Sequence, residues 1–175
     1  MKYDVIIIGG GASGLCAAAA IKRIDPGKKV LIIEHLDRVG KKILSTGNGK
    51  CNLSSEYAQK DLFYSNPEGM YPYFTSGRRA FIEAAFDKFD YNDTLSFFNS
   101  LGMLLLNKNG YIYPRSEQAS SVLDVLRFTA EDLGCELICG MQPFRVAKRG
   151  KIFSVDDEFL SDTLILAAGG MAAPK

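Results

Sequence analysis

Val5-Ile6-Ile7-Ile8-Gly9-Gly10-Gly11-Ala12-Ser13-Gly14, with Glu34 twenty residues beyond its last glycine, decides how this chain folds. The apolar run Val5 to Ile8 reads as a buried strand that turns sharply into an alanine-rich helix over Ser13 to Arg23, ended by Asp25-Pro26-Gly27. Each glycine then has a mechanical task. Gly9 makes the tight turn, Gly11 removes a Cβ that would block a phosphate, and Gly14 lets the helix pack close to the strand. The helix N-terminus presents free N–H groups and partial positive charge to an anion. A second apolar run, Val30 to Ile33, places Glu34 at a strand end, where a carboxylate accepts the hydroxyls of an adenosine ribose. The expectation is a dinucleotide site.

Working outward, the composition agrees. At 175 residues and 47% hydrophobic content the chain buries one domain's core. A formal charge of +1 supplies no field to draw nucleic acid or an acidic membrane, so neither is expected as a partner. The apolar stretch reaching Ile21 is interrupted by Asp4 and three glycines, which rules against a signal peptide or membrane span. Cys16, Cys51, Cys135 and Cys139 form no CxxC pair, and His35 is the only histidine. Neither a metal site nor a disulfide framework is expected, and the usage fits a reducing cytoplasm.

The loop Asp37 to Leu53 is unusual. Gly49-Lys50 hints at a phosphate loop, but Leu44 stands where that motif wants glycine and Cys51 where it wants Ser or Thr. What is left is a Gly/Asn/Ser-rich segment able to lay backbone amides against a ligand, with Lys41 and Lys42 available to neutralise phosphate. Farther on, Ser76 is expected to cap a helix carrying Phe81, Ile82, Ala85 and Phe86 on one face, and Asn92 a second ended by Gly102. Met103 to Leu106 and Tyr111 to Tyr113 read as a hairpin around Asn107 to Gly110, closed by Pro114. Ser116 opens a longer helix with Val122, Leu123, Leu126, Ala130 and Leu133 as its core stripe. Strands are expected at Cys135 to Cys139, Phe144 to Lys148 and Ile152 to Val155, forming an antiparallel meander over the crossover. Thr163 to Ala168 reads as a further parallel strand running into Gly169-Gly170. The fold class is α/β: a Rossmann-like domain with a central parallel sheet, crossover helices and a small antiparallel β-meander, its site at the C-terminal ends of the strands.

The fingerprint, the Gly40 to Leu53 segment, Tyr111-Ile112-Tyr113-Pro114-Arg115-Ser116 and Leu164 to Gly170 together resemble the BaiN-like flavoprotein family, also described as aminoacetone oxidase family FAD-binding enzymes. The resemblance covers nearly the whole chain and implies FAD rather than NAD as the bound dinucleotide. It places the pyrophosphate at Gly9, Gly11, Ala12, Ser13 and Gly14 and the adenosine at Glu34 and His35. Lys41 and Lys42 would sit beside the cofactor, with Gly47, Asn48, Gly49, Cys51 and Asn52 along its flavin side. Pro143 would hold the adenine through its carbonyl, and Ala168 and Gly169 match an Ala-Thr-Gly motif whose Thr is here Ala168.

The resemblance also implies a two-electron oxidoreductase acting on a small organic substrate, for which an unsaturated ketone and an NAD(P)H donor are the expected partners. Cys51 is expected at the flavin as a packed thiol that exchanges no electrons, and His35 lies too near the adenosine end for catalysis. Members of that family continue into an inserted second domain and a returning C-terminal stretch. Residues 1–175 are therefore expected to be the N-terminal part of an incomplete FAD/NAD(P)-binding domain, inactive alone, with the catalytic residues elsewhere. The competing expectation is a non-catalytic flavin-binding module with a protein- or RNA-interaction role.

Overall fold

Three consecutive isoleucines preceded by Val5 leave this segment no polar face, so it is stable only where both faces are covered. In the computed structural model, which describes residues 1–57 and 83–169, the segment is β1 (Lys2–Ile8), an interior strand of a six-stranded sheet. Its parallel neighbours are β2 (Val30–Glu34), with Ile7 opposite Ile32, and β9 (Phe159–Leu166), with Ile7 opposite Ile165. Alternation along β1 sends Val5 and Ile7 into a core shared with helices α1 (Ala12–Ile24) and α4 (Ala119–Asp132), and Ile6 into a second core with Leu31, Ile33, Val155 and Phe159. Helix α1 makes the first crossover and buries Gly14, Leu15, Ala18 and Ala19. Its Lys22 ammonium donates to the carbonyls of Pro26 at 2.5 Å and Lys28 at 3.0 Å, satisfying the turn that leads into β2.

The sheet runs β6-β2-β1-β9-β8-β7, and this order corrects one expectation. Cys135 to Cys139, expected in the meander, yields β6 (Glu136–Cys139), which joins β2 in parallel with Ile32 opposite Leu137. The reason is the long crossover from β2, whose last helix, α4, packs with α1 against one face of the sheet and so delivers the following strand parallel to β2. Strands β7 (Val146–Arg149) and β8 (Ile152–Val155) do form an antiparallel meander, which continues into the main sheet because β9 is long. The first half of β9 takes β8 on one side, with Phe153 opposite Ser161, while its whole length takes β1 on the other.

A separate three-stranded sheet holds β3 (Ser54–Ser55), β5 (Tyr111–Pro114) and β4 (Leu105–Lys108). The hairpin is tighter than expected. Asn109 and Gly110 both have positive φ, 52° and 83°, so the two of them make the turn and Asn107 and Lys108 extend β4. Helix α3 (Tyr91–Ser100) is capped by Asp90 rather than Asn92: Asp90 Oδ1 accepts the Asp93 N–H while Asp93 Oδ2 accepts the Asp90 N–H. Helix α4 begins at Ala119 rather than Ser116, because Glu117 adopts positive φ and breaks the run. Of its expected stripe Val122, Leu123, Leu126 and Ala130 are buried, while Leu133 is the cap beyond the last turn and only half-buried. The helix expected after Ser76 falls largely outside the described residues, of which 83–86 are helical. Among the described residues no helix is long and apolar enough to cross a membrane.

Candidate functional site

Parallel strands β1, β2 and β9 end on one side of the sheet, and the loops that leave them there build the site. Gly9 has φ of +106°, and a Cβ on it would stand 2.3 Å from the Ala167 carbonyl oxygen. Both the turn and the approach of the loop after β9 demand glycine. A Cβ on Gly14 would stand 2.0 Å from the Gly9 carbonyl oxygen, so this glycine lets α1 begin against the turn. Gly11 differs from both: a Cβ there would meet no atom within 4 Å. The chain itself makes no demand for glycine at this position, and the open space in front of it is where a ligand would make one. Gly11 is also the cap of α1, with no side-chain cap and no acid in the first turn. The first-turn N–H groups therefore offer an anion both donors and the positive end of the helix.

Glu34 ends β2 and is 6% exposed. Its Oε2 accepts the Gly10 N–H at 2.8 Å and its Oε1 the Leu36 N–H at 2.9 Å, with His35 Nδ1 2.8 Å from the same Oε1. The carboxylate thus braces the glycine turn. Gly10 has its own role, which sequence reasoning missed. A Cβ there would stand 2.5 Å from Val39 Cγ1, and the Gly40 N–H donates to the Gly10 carbonyl, so the loop after β2 lies directly on the turn. The triple glycine run was the available signal.

A cavity of about 430 Å³ gathers Gly9, Gly11, Glu34, His35, Lys41, Lys42, Pro143, Ala168 and Gly169, nine of the residues expected at the cofactor. Pro143 arrives there because the Gly140 N–H donates to Leu36 O and the Met141 N–H to Glu34 O, tying the segment after β6 to the loop after β2. Ile33, Leu36, Gln142 and Val146 are among the other residues that line it. These side chains fit no motif, and only the packed loops bring them together. Lys41 pairs with Asp37 one helical turn earlier, in α2 (Lys41–Leu44) and the loop before it, and holds the Asp37 carboxyl below its ordinary range. Lys42 reaches across the groove, its Nζ 3.4 Å from where a Cβ of Gly169 would stand.

The expected set is not confined to one cavity. Ala12, Ser13, Cys51 and Asn52 line a second space of about 610 Å³, and Lys42 is the residue common to both. Gly14, Gly47, Asn48 and Gly49 line neither. Gly14 acts through packing, and the other three form a left-handed turn with φ of 52°, 54° and 82°. A Cβ on Gly47 would stand 2.7 Å from the Asn52 nitrogen, so the turn sets where Cys51 and Asn52 lie.

Cys51 itself is buried with φ of 56°, and burial pushes its thiol up, the Thr46 hydrogen bond offsetting part of the rise. Lys50 is occupied with Glu117 at 3.3 Å. Nothing in this arrangement activates the thiol. Burial likewise pushes Cys16 from its ordinary 9.0 up to about 11, with Cys51 adding a smaller push. A thiol that holds its proton more tightly when folded stabilises the fold fully below about pH 9 and loses that contribution as pH rises toward 11. Melting temperature is therefore expected to fall across that interval, and more shallowly in Cys16→Ala; equal slopes for the two proteins in a pH series would refute it. Among the described residues no cluster of His, Cys, Asp and Glu is placed to hold a metal.

A family model described as HI0933-like protein Rossmann domain matches residues 3–175. The chain belongs to this family. The family is one of FAD-binding oxidoreductases, and its Rossmann fold is the one observed here. A 3-dehydro-bile acid delta(4,6)-reductase of Clostridium scindens is 38% identical over 171 residues, covering 95% of the chain and 39% of that protein. A ribosomal RNA dihydrouridine synthase of Escherichia coli is 27% identical, covering 99% of the chain and 41% of that protein. The chain thus spans about two fifths of the length of the curated relatives it matches. Among solved structures, THI4 of Thermovibrio ammonificans superposes with a TM-score of 0.53 at 16% identity, covering 88% of the chain and 45% of that structure, a likeness of fold. The family's cofactor suits the residues present: an open cradle at Gly11, an uncapped helix end and a braced carboxylate at Glu34.

Proposed function

We propose that this chain carries the adenosine- and pyrophosphate-binding part of a FAD-dependent oxidoreductase that reduces a small organic molecule, an unsaturated ketone, with NADH or NADPH as donor. The observation that carries this reading is the groove at the strand ends, where Gly11, Glu34, Lys42 and the Ala168-Gly169 loop meet. FAD, when bound, would supply the two-electron chemistry. The chain's own work is binding and orientation. The first-turn amides of α1 would take the pyrophosphate, Glu34, which holds Gly10, would take the ribose, and Pro143 would offer its carbonyl to the adenine. Lys42, which lines both cavities, would neutralise phosphate charge on the side toward Cys51 and Asn52. The identity to the bile-acid reductase, higher than that to the RNA-modifying relative, and the formal charge of +1 both support a small organic acceptor over RNA.

The purified full-length protein reconstituted with FAD is expected to be yellow and to bleach when NADH or NADPH is added anaerobically. A protein that stays colourless after reconstitution removes the reading altogether. One that is yellow and never bleaches favours the non-catalytic flavin-binding module.

A further inference from the structure

Glu34 is engaged before any ligand reaches it. Its Oε2 accepts the Gly10 N–H at 2.8 Å, and its Oε1 accepts the Leu36 N–H at 2.9 Å and faces His35 Nδ1 at 2.8 Å. An ionised carboxylate can only accept, so His35 carries a proton on Nδ1 when it makes this bond. Each carboxylate oxygen offers about two lone-pair directions, which leaves Oε1 filled and one direction open on Oε2. A ribose brings two adjacent hydroxyls to such a carboxylate, so one of the present donors must give way. The two backbone donors are fixed by the glycine turn and by the end of β2. The imidazole is not: its side chain is 56% exposed and lies in the wall of the groove that holds Gly11 and Pro143.

We propose that His35 occupies the place of a ribose hydroxyl on Glu34 and yields it readily only when neutral, so that protonation of this one side chain weakens dinucleotide binding. The proposal rests on reading the groove as the FAD site. A neutral imidazole gives up an ordinary hydrogen bond, which the incoming hydroxyl replaces. An imidazolium gives up a charge-assisted bond, roughly twice as strong, to a carboxylate nearly sealed from water. Histidine is the side chain that ordinarily changes charge between about pH 5 and 8. The groups around it are Glu34 on β2, then Asp37, Arg38, Lys41 and Lys42 in the following loop and α2, where Lys41 holds the Asp37 carboxyl below its ordinary range. From β6 comes Cys139, whose thiol burial pushes up, away from that interval, with Glu34 adding to the rise. Among the described residues, the groove's lining from the glycine turn, β7 and β9 holds no titratable side chain. The sign then follows from linkage. The FAD-free protein holds the imidazole proton more tightly than the complex does, so binding releases a proton and affinity rises with pH.

Calorimetric titration of the full-length protein with FAD, at about pH 8 and about pH 5.5 and in two buffers of different ionisation enthalpy, is the test. Affinity is expected to be about tenfold weaker at the lower pH, with proton release on binding near about pH 6.5. His35→Asn places a neutral amide donor where Nδ1 stands and does not titrate; it should bind FAD equally at both pH values and release no proton. His35→Ala removes the competitor and should bind FAD about tenfold more tightly than the parent at the lower pH. A profile shared by the parent and His35→Asn, tighter binding by the parent at the lower pH, or no gain in His35→Ala would each overturn the proposal while leaving FAD binding at the groove intact. A protein that takes up no FAD at either pH removes the cofactor reading and the proposal together.

Discussion

Gly14→Ala is expected to lower the stability of the intact protein by about 3 kcal/mol, a drop of roughly 6–12 °C in melting temperature for a domain of this size. Helix propensity alone points the other way, because alanine inside a helix is better than glycine by about 1 kcal/mol. The two effects therefore differ in sign, and packing decides. The added Cβ would stand 2.0 Å from the Gly9 carbonyl oxygen and 3.3 Å from Ile7 Cγ2. The first of these contacts is with backbone at the junction of β1 and α1, which a rotamer change cannot relieve. Thermal melts followed by circular dichroism without flavin would settle the sign. An unchanged or raised melting temperature would mean that α1 does not press on the turn as described.

Gly11→Ala should behave oppositely. Its backbone, with φ of −79°, suits any residue, and its Cβ would meet nothing within 4 Å. Stability without flavin should stay within about 0.5 kcal/mol of the parent. Affinity for FAD should fall about a hundredfold, or roughly 3 kcal/mol, because the methyl group occupies the space through which a pyrophosphate reaches the first-turn amides. Titration by quenching of flavin fluorescence measures this. Undiminished affinity would place the pyrophosphate somewhere other than the N-terminus of α1. Taken as a pair, the variants separate a glycine required by the fold from one required by the ligand, two roles that look identical in the motif.

Much of the molecule was legible in the chain because its signals are local. The unbroken apolar run of Val5 to Ile8 requires cover on both faces, and the glycines that follow permit only a tight turn into a helix. Asn107 to Gly110 announces a hairpin, though not that its turn is only Asn109-Gly110, and the stripe from Val122 to Ala130 dictates which side of α4 is buried. Other features were misread because competing local signals are nearly equal in sequence. Asp90, Asn92 and Asp93 all make plausible caps, and only the reciprocal bonds between the two aspartates select Asp90. The segment Glu136 to Cys139 is a short apolar run that pairs as readily in a meander as in a parallel sheet, and the path of α4 makes the choice.

By itself, then, the sequence determined the β1-α1-β2 unit, the placement of Glu34 at a strand end, and the glycines without which that unit does not close. Periodicity and backbone freedom act over a few residues, so they are written in the chain directly. The tertiary structure alone decided that Glu34 braces Gly10, that Pro143 and Ala168 share a groove with Gly11, and that Lys42 stands between that groove and an apolar cavity. Each of these depends on loops distant in sequence meeting at one end of the sheet. Their meeting is fixed by strand order and by how closely backbones approach, and no local pattern encodes either.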